Sequence, residues 1–317
     1  MNSRPRLPCL HSGSNLSRPF SELAMNIEDV LEADWDAVPN LRDPVLVIAL
    51  RGWFDAAGAA TAALEWCLDD RAVTVVASID PDPFFDFTHE RPEVYFDEDD
   101  ERQIRWPEND IVIARFPEGS RDLVVLSGIE PHTNWNIFSE CVLQTAKNLN
   151  CSVAVTVGAI AEAIPHTRTP SVFGSTTNAA LARRLKLSRP TYQGVTGIVG
   201  VMQERFEREQ LAAVSLRVGV PHYLTNAQHP KSSAALLRHL EIVLGVPTRH
   251  AELYEEIQRW EELHDAAVEG DAQVSEHLAR LEADYDARTQ IEIPSADDLG
   301  AEFEKFLREQ SDESDDK

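Results

Sequence analysis

The residues best suited to chemistry stand directly after short apolar runs. Glu130 and His132 are two positions apart in GIEPHTNW, residues 128–135, which continues from LVVLSG at 123–128. A carboxylate and an imidazole this close can act as a general base with an orienting partner. Asp55 closes VIALRGWFD, His166 and Arg168 follow the run at 152–160, and His222 follows LRVGVP. Arg168 has the planar donor fork that holds an anion such as phosphate. A second, structural reading fits the same residues. In it Glu130 caps the helix that follows or pairs with Arg168, while His132 and Trp135 pack a loop.

Other signatures of chemistry are missing from the chain. There is no GxxxxGK[ST] loop, and the glycines of GVTGIVG at 194–200 are three apart rather than spaced as GxGxxG. Neither a nucleoside triphosphate nor a dinucleotide is therefore expected. No GxSxG elbow occurs, since Ser127 has Val125 where the first glycine would stand. His132, His166 and His222 are widely separated and no HExxH occurs, so no metal is expected. No cofactor is expected, no residue is assigned a catalytic role, and the balance leans away from an enzyme. The six residues Asp55, Glu130, His132, His166, Arg168 and His222 remain a candidate ligand cleft, suited to a small phosphate-bearing or nucleoside-like molecule.

Such a cleft needs a sheet whose strands end together. Apolar runs at 45–50, 73–79, 111–116, 123–128, 152–160 and 212–220 read as strands covered on both faces. Helical spacing appears at 56–70, 134–150, 175–187 and 201–210, with Asn134 placed to cap the second of these. The alternation predicts a three-layer α/β/α sandwich with a largely parallel central sheet. In such sheets ligands collect at the carboxyl ends of the strands. EVYF and QIRW, within 84–106, predict a hairpin inserted on one edge around an acidic turn.

Beyond Pro247 the character changes. Residues 248–317 carry 22 acidic and 7 basic side chains, a net charge of −15 out of −25 for the whole chain of 317 residues. Leu253, Ile257, Trp260 and Leu263 make one apolar stripe, and Val274, Leu278, Leu281 and Tyr285 another. A helical hairpin broken at 269–272 is expected, with a third helix after Ser295. The division predicted is a disordered extension at 1–24, an α/β domain at 25–247, an acidic helical appendage at 248–310 and a disordered tail at 311–317.

Charge and cysteine usage bound the partners. An excess of carboxylates disfavours nucleic acid and anionic membranes, both of which need Lys and Arg. The longest apolar run, CSVAVTVGAIA at 151–161, falls far short of the roughly 20 residues that a membrane-spanning helix requires. Four cysteines without a CxxC pair suit a reducing cytoplasm.

Five segments in order, GWFDAAGAA (52–60), LSGIEPHTNW (126–135), IPHTRTPSVFGS (164–175), YQGVTGI (192–198) and VGVPHYL (218–224), resemble the proteasome assembly chaperone 2 family in its actinobacterial form. The resemblance covers about residues 40 to 247. It implies a fold related to phosphorylase and hydrolase-like sandwiches, a homo-oligomer such as the trimers of archaeal relatives, and proteasome core subunits as partners. It also implies that GIEPHTNW lies where a phosphorylase-like ancestor held its ligand. Relatives that dock on the proteasome commonly end in hydrophobic-Tyr-X. This sequence ends Ser314-Asp315-Asp316-Lys317 and carries instead the acidic appendage, whose stripes must cover the body, each other or a partner.

Overall fold

The computed structural model describes residues 25–38 and 40–292. The extension at 1–24, the helix expected after Ser295 and the tail at 311–317 lie outside the described residues. In chain order the strands are β1 (Leu31–Ala33), β2 (Val45–Arg51), β3 (Val73–Ile79), β4 (Glu93–Phe96), β5 (Arg102–Arg105), β6 (Asn109–Ala114), β7 (Leu123–Ile129), β8 (Val153–Glu162), β9 (Val172–Ser175) and β10 (Ala212–Pro221). The α-helices are α1 (Ala59–Leu68), α2 (Trp135–Asn148), α3 (Ala179–Leu185), α4 (Ile198–Arg208), α5 (Pro230–Leu244), α6 (Tyr254–Glu269) and α7 (Ala272–Glu292).

Eight strands form one sheet in the order β1-β3-β6-β7-β2-β8-β10-β9. At its centre β2 runs parallel to β7 and β8, and β8 parallel to β10. The margins are antiparallel: β6 on β7, β3 on β6, β1 on β3, and β9 on β10. Alternation along β2 explains the layering. Val45, Val47 and Ala49 face a core built with α1 and α5, whereas Leu46, Ile48 and Leu50 face one built with α2 and α4. Both sides of the strand are fully covered, so each of its larger side chains contributes about 2 kcal/mol by burial. The α/β/α sandwich expected from the apolar runs is the fold observed.

Details at the element ends differ from expectation. Asn134 precedes α2, but in a left-handed conformation and without a side-chain cap; its amide donates instead to the Pro83 carbonyl at 2.5 Å. Packing of the 83–89 loop against the helix start competes for that side chain. Helix α5 went unread in the sequence, although Pro230 at its first turn, Leu236, Leu237, Leu240 and Leu244 on one face, and left-handed Gly245 after it are the ordinary signals. β4 and β5 pair only with each other, as an arm outside the main sheet. α6 and α7 form the expected hairpin around Gly270 and Asp271. Leu253, Trp260 and Leu281 are buried, but Leu263 and Val274 at the outer ends of the stripes are exposed.

Candidate functional site

The six candidate residues separate into three environments at the carboxyl end of the sheet. Asp55 follows β2 and turns beneath α1. Its Oδ1 accepts from the Ala60 amide at 2.7 Å, and its Oδ2 accepts from the Thr61 hydroxyl at 2.6 Å. The Ala60 amide is one that a helix start leaves unpaired. Burial raises the Asp55 carboxyl above its ordinary value, against the lowering effect of the Thr61 and Ala60 bonds.

Glu130 and His132 follow β7 and hold loops. Glu130 Oε2 accepts from the Trp53 amide at 2.7 Å, tying the end of β7 to the turn after β2. A Cβ built on Gly197 would lie 3.1 Å from Glu130 Oε1, so only a bare backbone fits comfortably where α4 begins. His132 Nδ1 accepts from the Asp86 amide at 2.9 Å, which places its proton on Nε2. The ring packs edge-on against Phe85 and His89. Glu130 and His132 therefore have different partners, although they are two residues apart.

His166, Arg168 and His222 gather on the side covered by α6 and α7. His166 is 1% exposed. Its Nε2 lies 3.2 Å from Asp265 Oδ1, and its Nδ1 lies 2.8 Å from the Tyr223 hydroxyl, which also accepts from the His166 amide at 2.9 Å. That hydroxyl has its proton for Nδ1, leaving the ring's own proton on Nε2 toward Asp265. Arg168 grips α7 with its fork: Nε and Nη2 each lie 2.9 Å from an Asp286 oxygen, and Nη1 lies 3.2 Å from Glu282. His222 meets the Glu162 carbonyl at 3.3 Å and the edges of Tyr223 and His277. The anion held by Arg168 is thus a pair of carboxylates from this chain.

Several residues central to this cluster escaped the sequence reading. Lys231, at the start of α5, is buried; it donates to the His166 carbonyl at 2.9 Å and to Glu261. His229 caps α5 by accepting from the Ser232 amide at 3.1 Å and lies edge-on to Trp260, which stacks on His264. Burial, with the nearby Lys231 ammonium, pulls His229 down to about 3. Burial also lowers His166, partly offset by Asp265. The local signal available was Pro230 opening a helix with His229 just before it, and that says nothing of which distant groups meet there. Cys67, Cys141 and Cys151 are free and buried, and burial raises their thiols to about 11, 12 and 12. They are not poised as nucleophiles. No cluster of metal-ligating side chains occurs among the described residues.

The cluster at the carboxyl end is therefore a set of polar contacts that fasten loops and an acidic hairpin to the sheet, with the buried His229 Nε2 left without a hydrogen-bond partner among the described residues. Residues 49–268 match the PAC2 family. Among solved structures, a PAC2 family protein from Streptomyces avermitilis is 36% identical, with a TM-score of 0.70, over 74% of this chain and 100% of that one. A proteasome-assembly chaperone homologue from Mycobacterium tuberculosis is 33% identical, with a TM-score of 0.64, over 74% and 99%. A second Mycobacterium tuberculosis protein, of unknown function, is 27% identical, with a TM-score of 0.74, over 83% and 90%. No curated protein sequence matches the chain.

Proposed function

Because the chain belongs to the PAC2 family, we propose that it acts as a proteasome-assembly-chaperone-like protein of the cytoplasm, self-associated and working through surface contacts with proteasome core subunits. The observation that carries this reading is the 33% identity to a proteasome-assembly chaperone homologue along 99% of that relative's length. The site geometry supports it from another direction. Asp55, His166 and Arg168, three of the groups best placed to handle a ligand, are already bonded within the chain. Helix α6 also leaves Tyr254 exposed beside Glu255 and Glu256 and, on the opposite flank, Leu263 exposed beside Glu262.

The test is quantitative mass spectrometry of material that copurifies with the tagged full chain from its native lysate. Core subunits or their precursors should appear in stoichiometric yield, and Leu263→Lys should reduce that yield. Recovery of this chain alone would overturn the reading. Thermal-shift screening of phosphate-bearing and nucleoside-like compounds against wild type and Glu130→Ala then addresses the cleft: a stabilisation seen only in wild type would favour a ligand-binding role.

A further inference from the structure

Two uncovered surfaces of opposite charge stand at opposite margins of the sheet. The first is the β4–β5 arm, inserted between β3 and β6. A lone two-stranded hairpin is marginally stable in water unless something packs on it. Here Val94 pairs with Ile104 across the arm, and Phe96 lies two residues along the same face. All three are exposed, Phe96 at 63%. Trp106, at the base of the arm, rests on Phe87 but is still partly open. The tip is Asp97-Glu98-Asp99-Asp100-Glu101, five carboxylates in a row. Asp97 is used in shaping the turn, accepting from the Asp99 and Glu101 amides. The other four have no ion pair among the described residues.

The second surface follows β9, the strand at the far margin. In a chain of net charge −25, residues 163–203 contain no carboxylate at all. Within this stretch Arg183, Arg184, Lys186 and Arg189 are exposed, and none forms an ion pair among the described residues. The loop from Ser188 to Thr196 is exposed throughout, with Tyr192 at 74% and Val195 at 81%. Aromatic side chains and arginine together are what protein interfaces favour.

We propose that these two surfaces are the halves of one interface between copies of this chain. The acidic, apolar arm of one protomer would lie against the basic 183–196 segment of the next. Charge complementarity selects the occupant. A five-carboxylate tip needs a basic acceptor, and the carboxylate-free stretch is the place in the described chain where cations stand together unpaired. Because the two surfaces differ and lie at opposite margins, the contact is head-to-tail, and closing it makes a ring rather than a two-fold dimer. The inference rests on the self-association included in the proposed function, and specifies the surfaces that would produce it.

The experiment is a charge swap on the full chain, read by sedimentation velocity and native mass spectrometry. Glu98→Lys with Asp99→Lys reverses the tip; Arg184→Glu with Arg189→Glu reverses the acceptor. All four side chains are exposed, so folding should survive, and circular dichroism checks that. Wild type should be a closed oligomer. Each reversed pair should weaken association on the order of 100-fold, as like charges meet. Both pairs combined in one chain should restore the oligomer. A monomeric wild type would sink this interface and the self-association in the reading above. An oligomer indifferent to either reversal, or one the combined chain fails to restore, would sink this interface alone. An arm covered by the chain's own residues 1–24 would appear as a wild-type monomer.

Discussion

Single residues at the carboxyl end of the sheet discriminate between chemistry and architecture. Asp55 accepts from the first turn of α1 and from Thr61, so Asp55→Ala should cost about 1–2 kcal/mol in urea denaturation, the usual scale for a lost helix cap. A variant of wild-type stability that lost a ligand response would point the other way. Gly158, on β8, is a stricter case. A Cβ there would collide with the ring of Phe54, and Gly158→Ala should destabilise the fold by about 1–3 kcal/mol, the scale of overpacking. Differential scanning calorimetry of Gly158→Ala with and without Phe54→Ala checks this, because the second change should recover most of the loss caused by the first. Arg168 shows the opposite scale. Its pairs with Glu282 and Asp286 are partly exposed, so Arg168→Ala should cost no more than about 1 kcal/mol globally. It should nevertheless speed hydrogen exchange in α7, since the fork is one of the ties of that helix to the loop, alongside the Thr167 hydroxyl on Glu282 and the Tyr285 hydroxyl on the Thr169 carbonyl.

The α6–α7 hairpin is the element whose attachment depends on protonation. His229, lowered to about 3, and His166, also lowered, are neutral in the folded protein and would charge more readily when unfolded. The unfolded state therefore binds more protons below the ordinary histidine value of about 6.5, and stability falls as acid is added. For His229 the contribution is complete above pH of about 6.5 and is lost progressively down to about 3. Lys231 and His264 stand beside His229, adding like charge when it is protonated; Asp265, on His166, works against the loss there. Melting temperature should drop through this window. His229→Asn, which retains a capping acceptor for Ser232 but cannot titrate, should flatten the drop relative to wild type. Trp260 joins the two sides: its indole donates to the Gln228 carbonyl at 2.9 Å and its ring packs on His229 and His264. Trp260→Ala should cost about 3–5 kcal/mol, and limited proteolysis should then cut within α6 before the α/β body.

For the whole molecule, the sequence alone determined the layering and the family. Short near-continuous apolar runs rich in Val and Ile, such as those of β2 and β8, read as strands covered on both sides, and helical spacing between them supplies the cover. The five ordered segments from GWFDAAGAA to VGVPHYL were also legible, because family motifs are local strings. The inserted hairpin and the break at 269–272 were legible from short-range turn chemistry. What only the tertiary structure decided is the set of partners each polar group found. Nothing in GIEPHTNW says that Glu130 would take the Trp53 amide while His132 took that of Asp86. Nor could local pattern reveal that Arg168 would be neutralised by α7, more than a hundred residues later. Helix α5 was readable in principle, yet its buried Lys231 and His229 matter only because α6 folds over them. Hydrophobic periodicity is a property of neighbouring residues and survives in the sequence. Hydrogen bonds and ion pairs between distant segments depend on how the layers are stacked, and the fold alone assigns them.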